Sequence, residues 1–213
     1  MSMHALLTLG SGKPMTPTFK NLSWQELLNT GALFLALMAF ALLLAGQTER
    51  VLFYKILYTA RTTMILFTPA MCLYVLPQQS QKKQNYWLLF WTFSFLSYAI
   101  HIYYSFFVFF HGSLAEFFAD QGVAVATINL IITMWWAFEI VAVWALSSPA
   151  KWLRIQRAAI QIIIAVTFFA STVILHGVDN KEPFVIVLGA LQAAAILVCV
   201  AIRATARKRQ FAL

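Results

Sequence analysis

Six long, almost uncharged apolar runs constrain the fold of this sequence more than any other feature. The runs are approximately Ala32–Ala45, Ile56–Leu76, Tyr86–Phe110, Val123–Leu146, Ile160–His176 and Phe184–Ile202. A helix needs about 20 apolar residues to cross a bilayer, and lipid cannot satisfy the backbone hydrogen bonds of an open, irregular chain. The sequence therefore predicts an all-α, polytopic membrane protein built as a bundle of six transmembrane helices.

Composition agrees with a membrane location. Hydrophobic residues make up 62% of the chain and charged residues 10%, whereas soluble domains are about half apolar and a quarter charged. We expect residues 1–29 to form a cytoplasmic or interfacial segment, residues 30–203 the transmembrane domain and residues 204–213 a basic cytoplasmic tail. Within the first segment, Ser23-Trp24-Gln25-Glu26 has the pattern of a capping box that opens a short helix leading into the first span.

The placement of charge predicts the orientation in the membrane. Basic residues cluster after the second and fourth runs and in the C-terminal tail, at Lys82, Lys83, Lys151, Arg154, Arg157, Arg203, Arg207, Lys208 and Arg209. Because cytoplasmic loops carry the excess of lysine and arginine, we expect both termini in the cytoplasm and the chain in the bacterial cytoplasmic (inner) membrane. The net charge of +8 is thus explained by topology, without nucleic acid as a partner.

The outer segment after the third run has its own pattern. Gly112-Ser113 ends the run, and Leu114–Asp120 is predicted to form a short amphipathic piece on the outer surface. His111 is also predicted at that surface. Chemistry therefore has to be sought among the polar residues of the spans themselves.

Two histidines in the spans are the first candidates, because polar groups deep in a membrane are costly and need a reason. Eighteen residues separate Lys83 from His101, and nineteen separate Arg157 from His176. At 1.5 Å per residue the two imidazoles are expected at the same height, about 27–28 Å from their basic residues. Such a pair can hold one haem iron from opposite sides; the alternative is that each ring only hydrogen-bonds a neighbouring backbone.

Other charged residues have two interpretations each. Glu139, near the middle of the fourth span, is a candidate for proton relay or quinone binding, or a structural acid hydrogen-bonded to a neighbouring span. Lys55 and Arg61, at the outer side of the second span, are candidates to pair with haem propionates or interfacial anchors. Cys72 and Cys199 fall near the cytoplasmic ends of two spans, and we interpret them as small buried hydrophobic residues rather than as a disulfide.

The surroundings of the two histidines carry a family resemblance. The pattern consists of Ser97–Tyr104, an acidic outer loop, an apolar span, Ala145–Ser148, a basic turn with Trp152 and a span ending in Val173–His176. Over about residues 30–180 it resembles the ferric-reductase-like transmembrane family, in particular the haem-binding membrane subunit of the bacterial methionine-sulfoxide reductase system. The resemblance implies six spans, both ends inside, and an outer b-type haem held by His101 and His176.

The sequence departs from the family at the inner haem. The family's second histidine on the fifth span is replaced by Ile163, and Trp87 stands where an inner ligand on the third span would lie. The resemblance therefore implies a single haem b, with quinol or a partner subunit as the electron donor in place of a cytoplasmic flavin.

Three functional hypotheses follow. The first is a membrane-bound b-type cytochrome, an electron-transfer subunit rather than a complete oxidoreductase, with a redox partner or larger membrane complex beside it. The second is a non-catalytic scaffold or accessory subunit of a larger membrane complex. The third is a small proton-coupled transporter that uses Glu139. The sequence shows no inverted repeat, which argues against this hypothesis.

Overall fold

The computed structural model describes residues 22–76, 80–146, 151–170 and 183–210, and these ranges contain helices and no strand. The helices are α1 (Trp24–Gly46), α2 (Val51–Val75), α3 (Gln81–Ile102), α4 (Leu114–Gln121), α5 (Val123–Ala145), α6 (Lys151–Phe168) and α7 (Pro183–Gln210). The α3 helix continues as a π-helix over Tyr103–Phe109. The all-α prediction is confirmed.

Among the described residues, five helices are long and apolar enough to cross a membrane. They are Trp24–Gly46, Val51–Val75, Gln81–Phe109, Val123–Ala145 and Pro183–Ala206. The protein is therefore an integral membrane protein by length and composition of its helices. The predicted fifth run, Ile160–His176, begins within α6 and ends outside the described residues. Six spans and the cytoplasmic position of both termini stay predictions.

Two predicted segment boundaries fall inside helices. The capping box is confirmed: the Ser23 side chain accepts from the Glu26 backbone N–H at 3.2 Å, and the Ser23 backbone N–H donates to the Glu26 carboxylate at 3.1 Å. The helix it opens is α1 itself, which runs unbroken past residue 29. At the other end, α7 continues past residue 203 to Gln210, because alanine, arginine and lysine are good helix formers even where the apolar run has ended.

The centre of the bundle is aromatic. Trp136 of α5 is fully buried, and its ring lies 5.0 Å from that of Trp91 on α3, 6.3 Å from that of Phe67 on α2 and 6.1 Å from that of Phe168 on α6. Four helices therefore meet around one indole ring. Aromatic pairs at these separations add to the packing energy of a core.

The segment predicted to lie on the outer surface is a short helix between two turns with positive φ angles. His111 has φ 53°, Gly112 φ 72° and Gly122 φ 74°, and α4 lies between them, as the sequence predicted. Phe117 of α4 is buried with Phe110 and Ala126 in a second, smaller apolar cluster. This cluster packs α4 against the end of the described bundle that the sequence predicts to be the outer one.

Candidate functional site

His101 is held in a defined orientation in the last turn of α3. Its Nδ1 lies 2.9 Å from the backbone carbonyl oxygen of Ile56 on α2. A carbonyl oxygen only accepts, so Nδ1 carries the proton and the lone pair of the neutral ring is on Nε2. The ring also stacks with Tyr98 at 5.9 Å and 27°. Metal-binding histidines commonly donate their second ring N–H to a backbone carbonyl in this way.

A cavity of about 240 Å³ lies beside His101, between α2, α3, α5 and α6 and the α4 segment. Most of its wall is aliphatic and aromatic. The polar side chains in the wall are those of Tyr98, His101, Ser105, Gln121, Asn129 and Thr167. Ligand sites typically have volumes of about 300–1,000 Å³ and mainly apolar walls with a few polar groups. The cavity has this chemistry and lies slightly below this size range.

Hydrogen bonds continue from the cavity along α5. The hydroxyl groups of Tyr98 and Thr133 are 2.8 Å apart, and Thr133 donates to the Asn129 carbonyl at 2.7 Å. The Asn129 amide in turn donates to the Gln121 side chain at 3.3 Å. The polar wall of the cavity is thus ordered, and it connects α3 to the outer segment.

The heights of α3 and α6 differ from the sequence estimate. The Arg157 guanidinium lies 5.2 Å from the centre of the Trp87 ring, and the rings of Tyr98 and Phe168 are 5.9 Å apart. Each pair is separated by the same number of residues, so the two helices share one register over this length. The estimate had taken Lys83 and Arg157 as level, whereas the Arg157 guanidinium lies against Trp87, about one helical turn further along α3.

Of the other residues proposed for haem binding, the structure describes Lys55 and Arg61, and neither lines the cavity. His176 lies outside the described residues. The Lys55 ammonium lies 5.2 Å from the Tyr104 ring centre, and the Arg61 guanidinium lies 5.4 Å from that of Tyr58. The pairing of these two cations with propionates stays a prediction.

No group of three or more histidine, cysteine or acidic side chains comes together as a metal site within the described ranges. His111 is exposed on the turn before α4, with its Nδ1 3.6 Å from a Glu116 carboxylate oxygen; its position at the outer surface stays a prediction. A bis-histidine haem uses only two protein ligands. The absence of a larger ligand cluster among the described residues therefore does not test the His101 hypothesis.

Glu139 is fully buried and bonded to α6. Its carboxylate forms an ion pair with the Arg157 guanidinium and accepts a hydrogen bond from the Gln156 amide. The Gln156 side-chain oxygen accepts from the Trp135 indole at 2.5 Å. Glu139 lies six residues before Ala145, the end of α5, about 9 Å along the helix. The middle of α5 is at Met134, so Glu139 lies about halfway between the middle of the helix and its predicted cytoplasmic end.

Sequence reasoning missed two polar partners and one buried amide. Gln156 and the Ile56 carbonyl were not singled out, and neither was Gln161, a fully buried amide on α6. One signal was present in the sequence: Gln156-Arg157 stands directly before an apolar run, within reach of the preceding run's lone carboxylate. The carbonyl partner of His101 has no sequence signal, because every residue has the same backbone.

Comparison of the chain with family models, with curated proteins and with solved structures finds no match to any of them.

Proposed function

We propose that this protein is a membrane-bound electron-transfer subunit, a b-type cytochrome that carries one haem with His101 and His176 as axial ligands. The observation that carries the proposal is the setting of His101: the ring lines the cavity, and its Nδ1 is hydrogen-bonded to the Ile56 carbonyl. That bond selects the tautomer in which Nε2 coordinates a metal. When bound, the haem would supply one-electron redox chemistry.

The described residues fit the group on the His101 side. The ring is oriented by a backbone carbonyl and by Tyr98, and most of the cavity wall is apolar. The cavity volume of about 240 Å³ is small for a haem. Binding a haem therefore requires the cavity to widen, and we propose that the wall formed by Phe110 and Phe117 moves. The two left-handed turns that flank α4 are natural places for such a movement.

A single haem is supported by the packing of the inner half of the described bundle. The position opposite the missing inner ligand is filled by Trp87, which is buried beneath the Arg157 guanidinium. Trp91 and Trp136 fill the adjoining space. An electron donor in the membrane, such as a quinol, or a partner subunit therefore suits the proposal better than a cytoplasmic flavin.

The test is an optical spectrum of the purified protein. The chain is expressed with haem available and extracted in mild detergent, and its reduced-minus-oxidised spectrum is recorded. We expect a b-type α-band corresponding to one haem per chain. The His101→Ala and His176→Ala variants should lose it, while His111→Ala, which removes an exposed histidine of the outer turn, should keep it. A wild-type protein without an α-band would overturn the proposal.

The second candidate is an accessory subunit of a larger membrane complex, and the size of the cavity favours it. An outer wall that does not move would leave the described cavity too small for a haem, and the ordered bonds between Tyr98, Thr133 and Asn129 would then only stabilise packing. Stable co-purification with a partner chain, together with a flat difference spectrum, would select this function. Transport through Glu139 has less support, because its carboxylate is bound by Arg157 and Gln156.

A further inference from the structure

Two basic side chains lie close to a contact that joins α3 to α6. The Arg157 guanidinium of α6 lies 5.2 Å from the centre of the Trp87 ring on α3. Lys83 is four residues before Trp87, a spacing that places two side chains on one face of a helix. Arg154 is three residues before Arg157, which has the same effect on α6. Both cations therefore lie on the sides of α3 and α6 that face each other, about one helical turn from the contact.

A buried amide lies on the same face of α3. Gln84 is three residues before Trp87 and is 2% exposed. Its side-chain oxygen has no hydrogen-bond partner among the described residues. An amide oxygen only accepts, so a group that satisfies it has to be a donor. We call Lys83, Gln84 and Arg154 the basic cluster.

The carboxylates near this end do not balance the basic cluster. The first turns of α3 and α6 contain no acidic residue. The Glu26 carboxylate of α1 reaches α3 at Asn85, which is two residues before Trp87 and so points about 160° away from it. The Glu139 carboxylate is already paired with Arg157. The basic cluster therefore presents positive charge and one unsatisfied acceptor at the same place.

The basic cluster lies at the level of lipid head groups. The apolar runs begin at Tyr86 on α3 and at Ile160 on α6, so Lys83 lies about 5 Å and Arg154 about 9 Å before the apolar part of its helix. The polar layers of a bilayer extend the hydrocarbon core of about 30 Å to about 40–45 Å. Both cations are exposed, so the phosphate groups of membrane lipids are within their reach.

We propose that the basic cluster binds phosphatidylglycerol, with Lys83 and Arg154 on the phosphate and Gln84 accepting from a head-group hydroxyl. The phosphate diester carries one negative charge, and lysine and arginine bind it through charge-assisted hydrogen bonds. The glycerol head group supplies the donor that the Gln84 oxygen requires, without the positive charge of an ethanolamine or choline head group. The basic cluster is separate from the cavity beside His101, and the proposal is independent of the haem.

The experiment measures lipid binding to the full chain by native mass spectrometry. The protein is delipidated in mild detergent and titrated with phosphatidylglycerol or with phosphatidylcholine. We expect phosphatidylglycerol to bind more tightly. Lys83→Gln and Arg154→Gln should each weaken its binding about fivefold, the contribution of one cation near an anionic lipid surface. Equal binding of the two lipids to the wild type would overturn the proposal.

A matched variant separates the basic cluster from general attraction of charge. Lys82 is exposed in the same turn of α3 as Lys83, but it is five residues before Trp87 and points about 140° away from it. Lys82→Gln removes the same charge and should bind phosphatidylglycerol as the wild type does. A loss equal to that of Lys83→Gln would show that the position of the cation plays no part.

Two further arms test the head group and the source of the phosphate. Phosphatidylmethanol has the same charge and no head-group hydroxyl, so Gln84→Leu should weaken binding of phosphatidylglycerol and leave that of phosphatidylmethanol unchanged. Equal loss of both lipids would overturn the role of Gln84. An excess of inorganic phosphate should leave the lipid bound, because the acyl chains also contribute to binding. Displacement by inorganic phosphate would identify a free anion as the ligand and overturn the lipid assignment.

Discussion

Arg157 of α6 forms an ion pair with Glu139 of α5 inside the bundle, where the Glu139 side chain is 0% exposed and that of Arg157 is 13% exposed. Neither charge could remain in the apolar interior alone, because removing an ion from water costs several kcal/mol. Each helix therefore supplies the charge that allows the opposite charge on the other helix to be buried. The pair connects α5 to α6, and the stacking of Arg157 on Trp87 extends the connection to α3.

Removing one member of this pair should destabilise the bundle strongly. The Arg157→Met variant leaves Glu139 buried without its cation, and we expect a loss of about 3–5 kcal/mol in the free energy of unfolding. Unfolding in mixed micelles of increasing sodium dodecyl sulfate measures it. The Glu139→Gln/Arg157→Met double variant, which buries no charge, should recover most of the loss. A single variant as stable as the double variant would contradict this assignment.

The buried amide of Gln161 should be dispensable for stability. Neither its side-chain nitrogen nor its side-chain oxygen has a hydrogen-bond partner among the described residues, and an unpartnered buried polar group costs about 1–3 kcal/mol. The Gln161→Leu variant is therefore expected to unfold at the same or a higher detergent concentration. Gln156→Leu, one and a half turns earlier on α6, should destabilise, because Gln156 bonds both Glu139 and Trp135. The reverse order of stability would refute the prediction.

Trp136 should be the most sensitive position of the aromatic core. Its ring contacts those of Trp91, Phe67 and Phe168 on three other helices, and truncation leaves a large void. We expect Trp136→Ala to cost about 3–5 kcal/mol. Phe138→Ala is the control on the same helix, since the Phe138 side chain is 48% exposed on the surface of the bundle. Thermal unfolding in detergent should show a large shift for the first variant and a small one for the second.

The turn that opens α5 requires a glycine. Gly122 has φ 74° and ψ 152°, a region that costs a residue with a side chain about 1–3 kcal/mol, although a Cβ there would meet nothing within 4 Å. Gly122→Ala should therefore destabilise through the backbone alone. Gly46→Ala is the matched control, because a Cβ at Gly46 also meets nothing within 4 Å and the residue is helical. Equal effects of the two changes on the detergent midpoint would rule out backbone strain at Gly122.

Local features of the fold were predictable from the sequence. Each described helix except the short α4 contains all or part of a predicted apolar run. The capping box at Ser23 and the α4 helix also appear where the sequence indicated. Hydropathy determines these features because lipid forces any long apolar segment to satisfy its own backbone as a helix. Helix caps and glycine turns can also be predicted from local sequence, because each depends on only two to four neighbouring residues.

The tertiary structure alone decided which faces of the helices meet. The partner of Glu139, the Val75 carbonyl that Arg203 bonds, and the carbonyl that orients His101 all join residues on different helices. A face that contacts lipid and a face that contacts another helix are equally apolar, so hydropathy does not distinguish them. Relative height fails for a related reason: a long basic side chain such as Arg157 can be drawn inward by a buried carboxylate, and its position in the sequence then no longer marks the membrane surface.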